Sequence, residues 1–242
     1  MKCSSFVTFG FALFAAGLIS IALTGCGSSA AQSAGDQARE AEAQPKASSS
    51  DPVEGPGKGM AAIKQAAEAG KYLFVFFSKT DDDQTLAMRK VFDTVMEKVA
   101  DRAQSVAVRI ADASEKAIVD KFDLSRAPMP LVLAMAPNGA ITGGFPTKFD
   151  EQQLLDAFAT PGTEKVMKSL QDRKLVFVCV QNAKTKSNDA ALEGVRDFKT
   201  DARYVSATEI VTLDPTDKKE ATFLTDLKVS PDIAEATTVF VV

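Results

Sequence analysis

Hydrophobic and polar positions fall into blocks along this 242-residue chain. Phe6 to Ala22 is an uninterrupted run of apolar and small residues, preceded by a single positive charge at Lys2. Gly27 to about Lys58 has no aromatic residue, and Val53 is its only β-branched aliphatic one. Such a segment cannot bury enough apolar surface to offset the entropy of ordering it. It predicts a flexible tether of ~30 residues with a random-coil reach on the order of 30 Å.

Beyond the tether the blocks shorten and take the periods of helices and strands. Met60 to Ala69 reads as an Ala-rich helix closed by Gly70. Tyr72 to Phe77 is a continuous apolar run too short for a helix, and predicts a strand buried on both faces. Met88, Val91, Phe92, Val95, Met96 and Val99 keep helical spacing, so one face of that helix packs on a sheet. A strand at Ser105 to Ile110, a helix at Ser114 to Phe122 and a buried strand at Pro130 to Met135 follow. Pro137-Asn138-Gly139 then turns the chain into a strand at Ala140 to Phe145, Asn-Gly supplying positive φ. Glu151 to Thr160 closes the series as a helix. This order predicts an α/β/α sandwich with a mixed central sheet, its last two strands antiparallel.

The scheme repeats. Glu164 to Gln171 reads as a helix, Leu175 to Val180 as a buried strand, and Asp214 leads into a helix ending at Leu227. From Leu73 to Leu175, Asp112 to Asp214 and Leu124 to Leu227 the displacements are 102, 102 and 103 residues, a near-constant period that marks an internal repeat. The second copy stops at Thr238 to Val242, without a hairpin partner or a closing helix. A bare apolar strand leaves an open sheet edge. The expectation is a fragment of a longer chain, or a sheet completed by a partner. The predicted layout is a signal segment at 1–25, the modified N-terminus and tether at 26–58, a first unit at 59–161 and a second at 162–242.

Composition narrows the chemistry. A formal charge of −4 argues against a nucleic-acid partner, which calls for a basic face. The chain has no histidine, which excludes Ser-His-Asp and Cys-His catalysis and His-ligated zinc. Of the three cysteines, Cys3 lies in the signal segment and Cys26 at its end, leaving Cys179 as the one thiol of the folded part, with no disulfide framework.

Charge, apolar run and small residues occur in the order of a secretory signal. Leu23-Thr24-Gly25-Cys26 resembles the bacterial lipobox. That resemblance implies cleavage between Gly25 and Cys26, with Cys26 lipidated and holding the exported chain to a membrane. The other reading is an uncleaved anchor, since the apolar run approaches the ~20 residues of a membrane span. In an organism with two membranes, Gly27 after the cysteine resembles the signal for the outer membrane's periplasmic face.

The apolar strand, the polar loop opening a long helix, and Pro130 starting the next central strand before an Asn-Gly hairpin together resemble thioredoxin over Met60 to Thr160. The resemblance implies a cis Met129-Pro130 peptide facing the loop. It also places the two cysteines of the family's Cys-x-x-Cys at Asp81 and Gln84, neither of which can exchange a disulfide. The matching loop of the second unit, Gln181 to Asn188, has no cysteine either.

Asp81-Asp82-Asp83 reads either as oxygen ligands for a hard cation or as an acidic helix start, and three adjacent acids lack the spacing of a calcium loop. Cys179 sits inside an apolar strand at the position matching Phe77, where a thiol is a small core residue rather than a nucleophile. No catalytic residue, metal site or cofactor is assigned. The candidate binding face is Asp81, Asp82, Gln84, Met129 and Pro130, because in the family that face holds extended peptide. The chain therefore reads as a membrane-anchored, redox-inactive binding or assembly module of the cell envelope, with a protein or peptide partner. Its rivals are a thiol oxidoreductase or peroxidase using Cys179 or residues beyond Val242, and a purely structural lipoprotein.

Overall fold

The computed structural model describes residues 57–242, so the signal segment, Cys26 and all but the last two residues of the tether lie outside it. Strand β1 (Tyr72–Ser78) is the centre of a four-stranded sheet of order β2-β1-β3-β4. It runs parallel to β2 (Ala103–Arg109) and antiparallel to β3 (Leu131–Met135), which pairs antiparallel with β4 (Ile141–Pro146). Tyr72, Phe74 and Phe76 point to one core, shared with Phe92, Val95 and Met96 of α2 (Asp83–Lys98). Leu73, Val75 and Phe77 point to the other, shared with Ala66 of α1 (Lys58–Glu68) and Ile118 of α3 (Lys116–Lys121). Each of these fully buried side chains contributes roughly 1.5–3 kcal/mol over exposure, which explains the unbroken apolar run.

A second sheet has the order β6-β5-β7, from β5 (Leu175–Val180), β6 (Thr208–Leu213) and β7 (Thr237–Val241). Here too the central strand is parallel to one neighbour and antiparallel to the other. The fold is thus α/β with mixed sheets in a thioredoxin-like order, and the arrangement β2-β1-β3 recurs in the second sheet. Helices α5 (Pro161–Gln171), α6 (Asn188–Thr200) and α7 (Ala221–Asp226) accompany it, α6 and β6 at places the sequence reading leaves unassigned.

Several boundaries differ from the pattern-based expectation. The helix expected over Glu151 to Thr160 ends at Leu155 (α4, Glu151–Leu155), because Phe158 leaves it to pack on Tyr72 and Phe74 at ring separations of 4.7 and 5.4 Å. Thr160 instead caps α5, its hydroxyl accepting from Thr163 N–H, and Pro161 takes the first helical position, where it loses no hydrogen bond. The segments after Asp112 and Asp214 open as tight turns, so α3 and α7 are short. In the hairpin only Gly139 has positive φ; Asn138 contributes its side-chain carbonyl, which accepts from Ala140 N–H at 2.9 Å.

A clasp is repeated in the two halves. Asp112 accepts from Ser114 N–H at 3.0 Å, and three residues on, Glu115 accepts from Gly59 N–H in the first turn of α1 at 3.0 Å. Asp214 accepts from Thr216 N–H at 2.8 Å, and Glu220 accepts from Gly162 N–H in the first turn of α5 at 2.9 Å and from the Thr160 hydroxyl. Glu115 and Glu220 are only 3% and 4% exposed, and each places a carboxylate against unpaired amides at a helix start.

Candidate functional site

The loop after β1 and the first turn of α2 form one wall of the candidate face. Asp82 is the N-cap, its carboxylate accepting from Thr85 N–H and from the Thr80 hydroxyl, both at 2.8 Å. The Thr85 amide, then the Thr80 hydroxyl, hold this carboxyl below the usual carboxylate range. Asp81 turns the other way and pairs with Arg109, which the β1–β2 register sets opposite Ser78. Asp83 is the first residue of the helix. The three acids therefore do not converge, and among the described residues no group of three or more acidic or thiol side chains is gathered to hold a metal.

The other wall is the segment before β3. The Met129-Pro130 peptide is cis. Gln84 Nε2 donates to Thr147 C=O at 3.0 Å, and Thr147 N–H donates to Pro130 C=O at 2.7 Å. The structure thus joins Gln84 to Pro130 through Thr147, a residue of positive φ just after β4. Met129 is half-buried, its side chain packed against the core that holds Leu131 and Leu124, and its backbone N–H and C=O make no hydrogen bond among the described residues. Of the predicted face, Asp81, Asp82 and Gln84 are exposed, Met129 is half-buried with its side chain in the core, and Pro130 is buried. Arg109 and Thr147 were not visible as site residues in the sequence; only strand register and a hairpin return bring them here.

The matching place in the second unit is built differently. The core-facing match of Phe77 is Val180, not Cys179 as the sequence spacing predicts. Register sets Val180 opposite Thr237 as it sets Phe77 opposite Leu131, so Ala236 stands where Pro130 does. Lys186 precedes the N-cap Ser187 of α6 as Asp81 precedes the N-cap Asp82 of α2. Lys186 N–H donates to Ala234 C=O and Ala236 N–H donates to Lys186 C=O, both at 2.9 Å. The loop is braced from inside: Asn188 Nδ2 donates to Asn182 C=O at 2.7 Å, and Asn182 Nδ2 donates to Asp214 at 2.9 Å. The loop backbone is here bonded directly to the segment before β7, whereas among the described residues no backbone bond joins the loop after β1 to the segment before β3.

Cys179 is 1% exposed and carries no disulfide. Burial pushes its thiol above the ordinary range, and the Thr238 hydroxyl, 3.8 Å from the sulfur, offsets only part of this. A thiol so placed is a poor nucleophile.

No protein-family model matches the chain, and no curated protein does. Solved structures give distant likenesses. Thioredoxin O2 from Arabidopsis thaliana, in its oxidised state, is 14% identical with a TM-score of 0.35, over 49% of this chain and 90% of that one. The first two thioredoxin domains of Saccharomyces cerevisiae Eps1p are 12% identical with a TM-score of 0.33, over 79% of this chain and 88% of that one. A domain of alkylhydroperoxide reductase AhpF from Enterococcus faecalis is 14% identical with a TM-score of 0.30, over 75% and 89%.

Proposed function

We propose that this chain is a lipid-anchored lipoprotein of the cell envelope, held to its membrane through Cys26, whose thioredoxin-like body binds a protein partner without redox chemistry. The observation that carries this reading is the contrast between the two faces. In the first, the Met129 backbone has no partner among the described residues and lies beside a loop with Asp81 and Gln84 where the family's cysteines would be; in the second, Lys186 of the loop is bonded to Ala234 and Ala236 across the same gap. An unpaired, partly buried backbone edge is a docking place for extended peptide, which supplies the missing hydrogen bonds. The burial of Cys179 gives no support to an enzyme acting through that thiol. Among the described residues no helix is long and apolar enough to cross a membrane. Attachment in this reading rests on Cys26, with the outer membrane's periplasmic face as its place in a two-membrane organism.

The test is capture of partners from envelope extracts by the mature chain. Asp81→Arg, which sets a second cation beside Arg109, and Met129→Pro, which removes the free N–H, are each expected to abolish recovery of a partner retained by the native chain. Equal recovery by both variants sinks the surface assignment. Mass analysis of Cys26→Ser tests the anchor, which predicts loss of the acyl mass and release from membranes.

A further inference from the structure

Helix α5 begins the second unit in sequence, yet one of its faces is committed to the first. Glu164, Met167 and Gln171 lie at i, i+3 and i+7 and so share a side. Glu164 Oε1 accepts from the Tyr72 hydroxyl at 2.5 Å, and Met167 packs against the core of Phe74 and Phe76. Gln171 lays its amide along β4, accepting from Ile141 N–H at 2.8 Å and donating to Ile141 C=O at 2.7 Å, the pair of bonds an added strand would make. The opposite side of the helix, Val166 and Leu170, packs in the core of the second sheet.

The chain entering α5 is held as closely. Phe158 packs on Tyr72 and Phe74, with the Arg102 guanidinium 3.8 Å from its ring centre. Ala159 N–H donates to the Tyr72 oxygen at 2.9 Å, and Glu220 holds Thr160 and Gly162 from the other side. Residues 158, 159, 160 and 162 are thus each bound to one sheet's unit or the other. Relative motion is the default for joined domains, and flexible linkers are the means. This joint has no such linker.

We propose that α5 is a splint shared by the two sheets, which fixes their relative orientation so that they move as one body in solution. Freeing them would break the Tyr72–Glu164 and Gln171–Ile141 bonds and expose Met167 and Phe158 together. The Met129 face of the first unit and the bonded loop of the second are consequently presented at a constant separation.

Spin labels on bioorthogonal side chains at exposed Lys90 and Lys219 of the full chain read this separation by electron-electron resonance. The native chain is expected to give one narrow distance distribution. Tyr72→Phe with Gln171→Ala is expected to widen it at least twofold while far-UV circular dichroism shows both sheets retained. A broad or multi-peaked distribution in the native chain overturns the proposal, and so does an unchanged width in the double variant. Should that variant lose its circular dichroism, Gln171→Ala alone decides: widening supports the splint, and native width overturns it.

Discussion

A methyl group added at Gly162 would stand 2.5 Å from Leu213 Cδ2 and 2.7 Å from Glu220 Oε1. Neither atom yields cheaply, since Leu213 is packed in the second core and Glu220 is bound to Thr160 and to Gly162 itself. Gly162→Ala should therefore cost about 1–3 kcal/mol by overpacking, read as a lower urea midpoint. Gly194, inside α6, has nothing within 4 Å of its would-be Cβ, and there the same substitution should add about 0.5–1 kcal/mol by stiffening the unfolded chain. Equal midpoint shifts at the two sites would refute the clasp geometry. Cys179 makes a chemical counterpart. Its buried, upward-shifted thiol should resist a disulfide reagent at neutral pH in the folded chain and react on unfolding, and rapid labelling of the folded chain would contradict its placement in β5.

Among the elements, those legible in the sequence bury one continuous side or two. Tyr72 to Phe77 has no polar interruption, and Met88 to Val99 keeps a single stripe, so local pattern and tertiary burial agree. Local pattern and structure part where a distant residue decides. Phe158 is as apolar as a helix's inner face, but Tyr72, far away in sequence, draws it out and ends α4 early. The acids at Asp81 to Asp83 showed a capped helix start, yet nothing local revealed Arg109 beside Asp81 or Thr147 bridging Gln84 to Pro130. The repeat was visible as a period, while its clasps were not, because Glu115 and Glu220 look like ordinary surface acids until folding buries them.

Capping acids also set a pH response at this scale. The Thr85 amide and Thr80 hydroxyl lower Asp82, the Ser114 hydroxyl and amide lower Asp112, and the Thr216 amide with the Asn182 side chain lowers Asp214. A carboxyl lowered by folding contributes stability above its unfolded value, about 3.9, and loses it as pH falls through the folded one. The triple change to Asn at positions 82, 112 and 214 keeps an acceptor oxygen but no charge. It should lower Tm at pH 6 and flatten the fall in Tm between about pH 4 and pH 2; an acid limb as steep as the native one would count against these caps.

At the scale of the molecule, Tyr72 ties the centre of the first sheet to the helix that opens the second, and it can be titrated. Burial first, and the Glu164 carboxylate second, hold its hydroxyl above the ordinary tyrosine value near 10. In the unfolded chain the phenol ionises near 10, whereas in the folded chain it stays protonated to higher pH. Between the unfolded and the folded value the unfolded state has released a proton that the folded state retains, so stability falls as pH rises, and the contribution is complete only below the unfolded value. Lysines titrate in the same range, so the tyrosine's share must be read by difference. Tyr72→Phe removes the phenol and should lower Tm at pH 8, where the bonds to Glu164 and Ala159 are lost, yet make Tm less sensitive to pH between about 10 and 11.5. Native and variant curves running parallel across that window would mean that the phenol reaches solvent, and that Glu164 and Ala159 do not hold it at the joint.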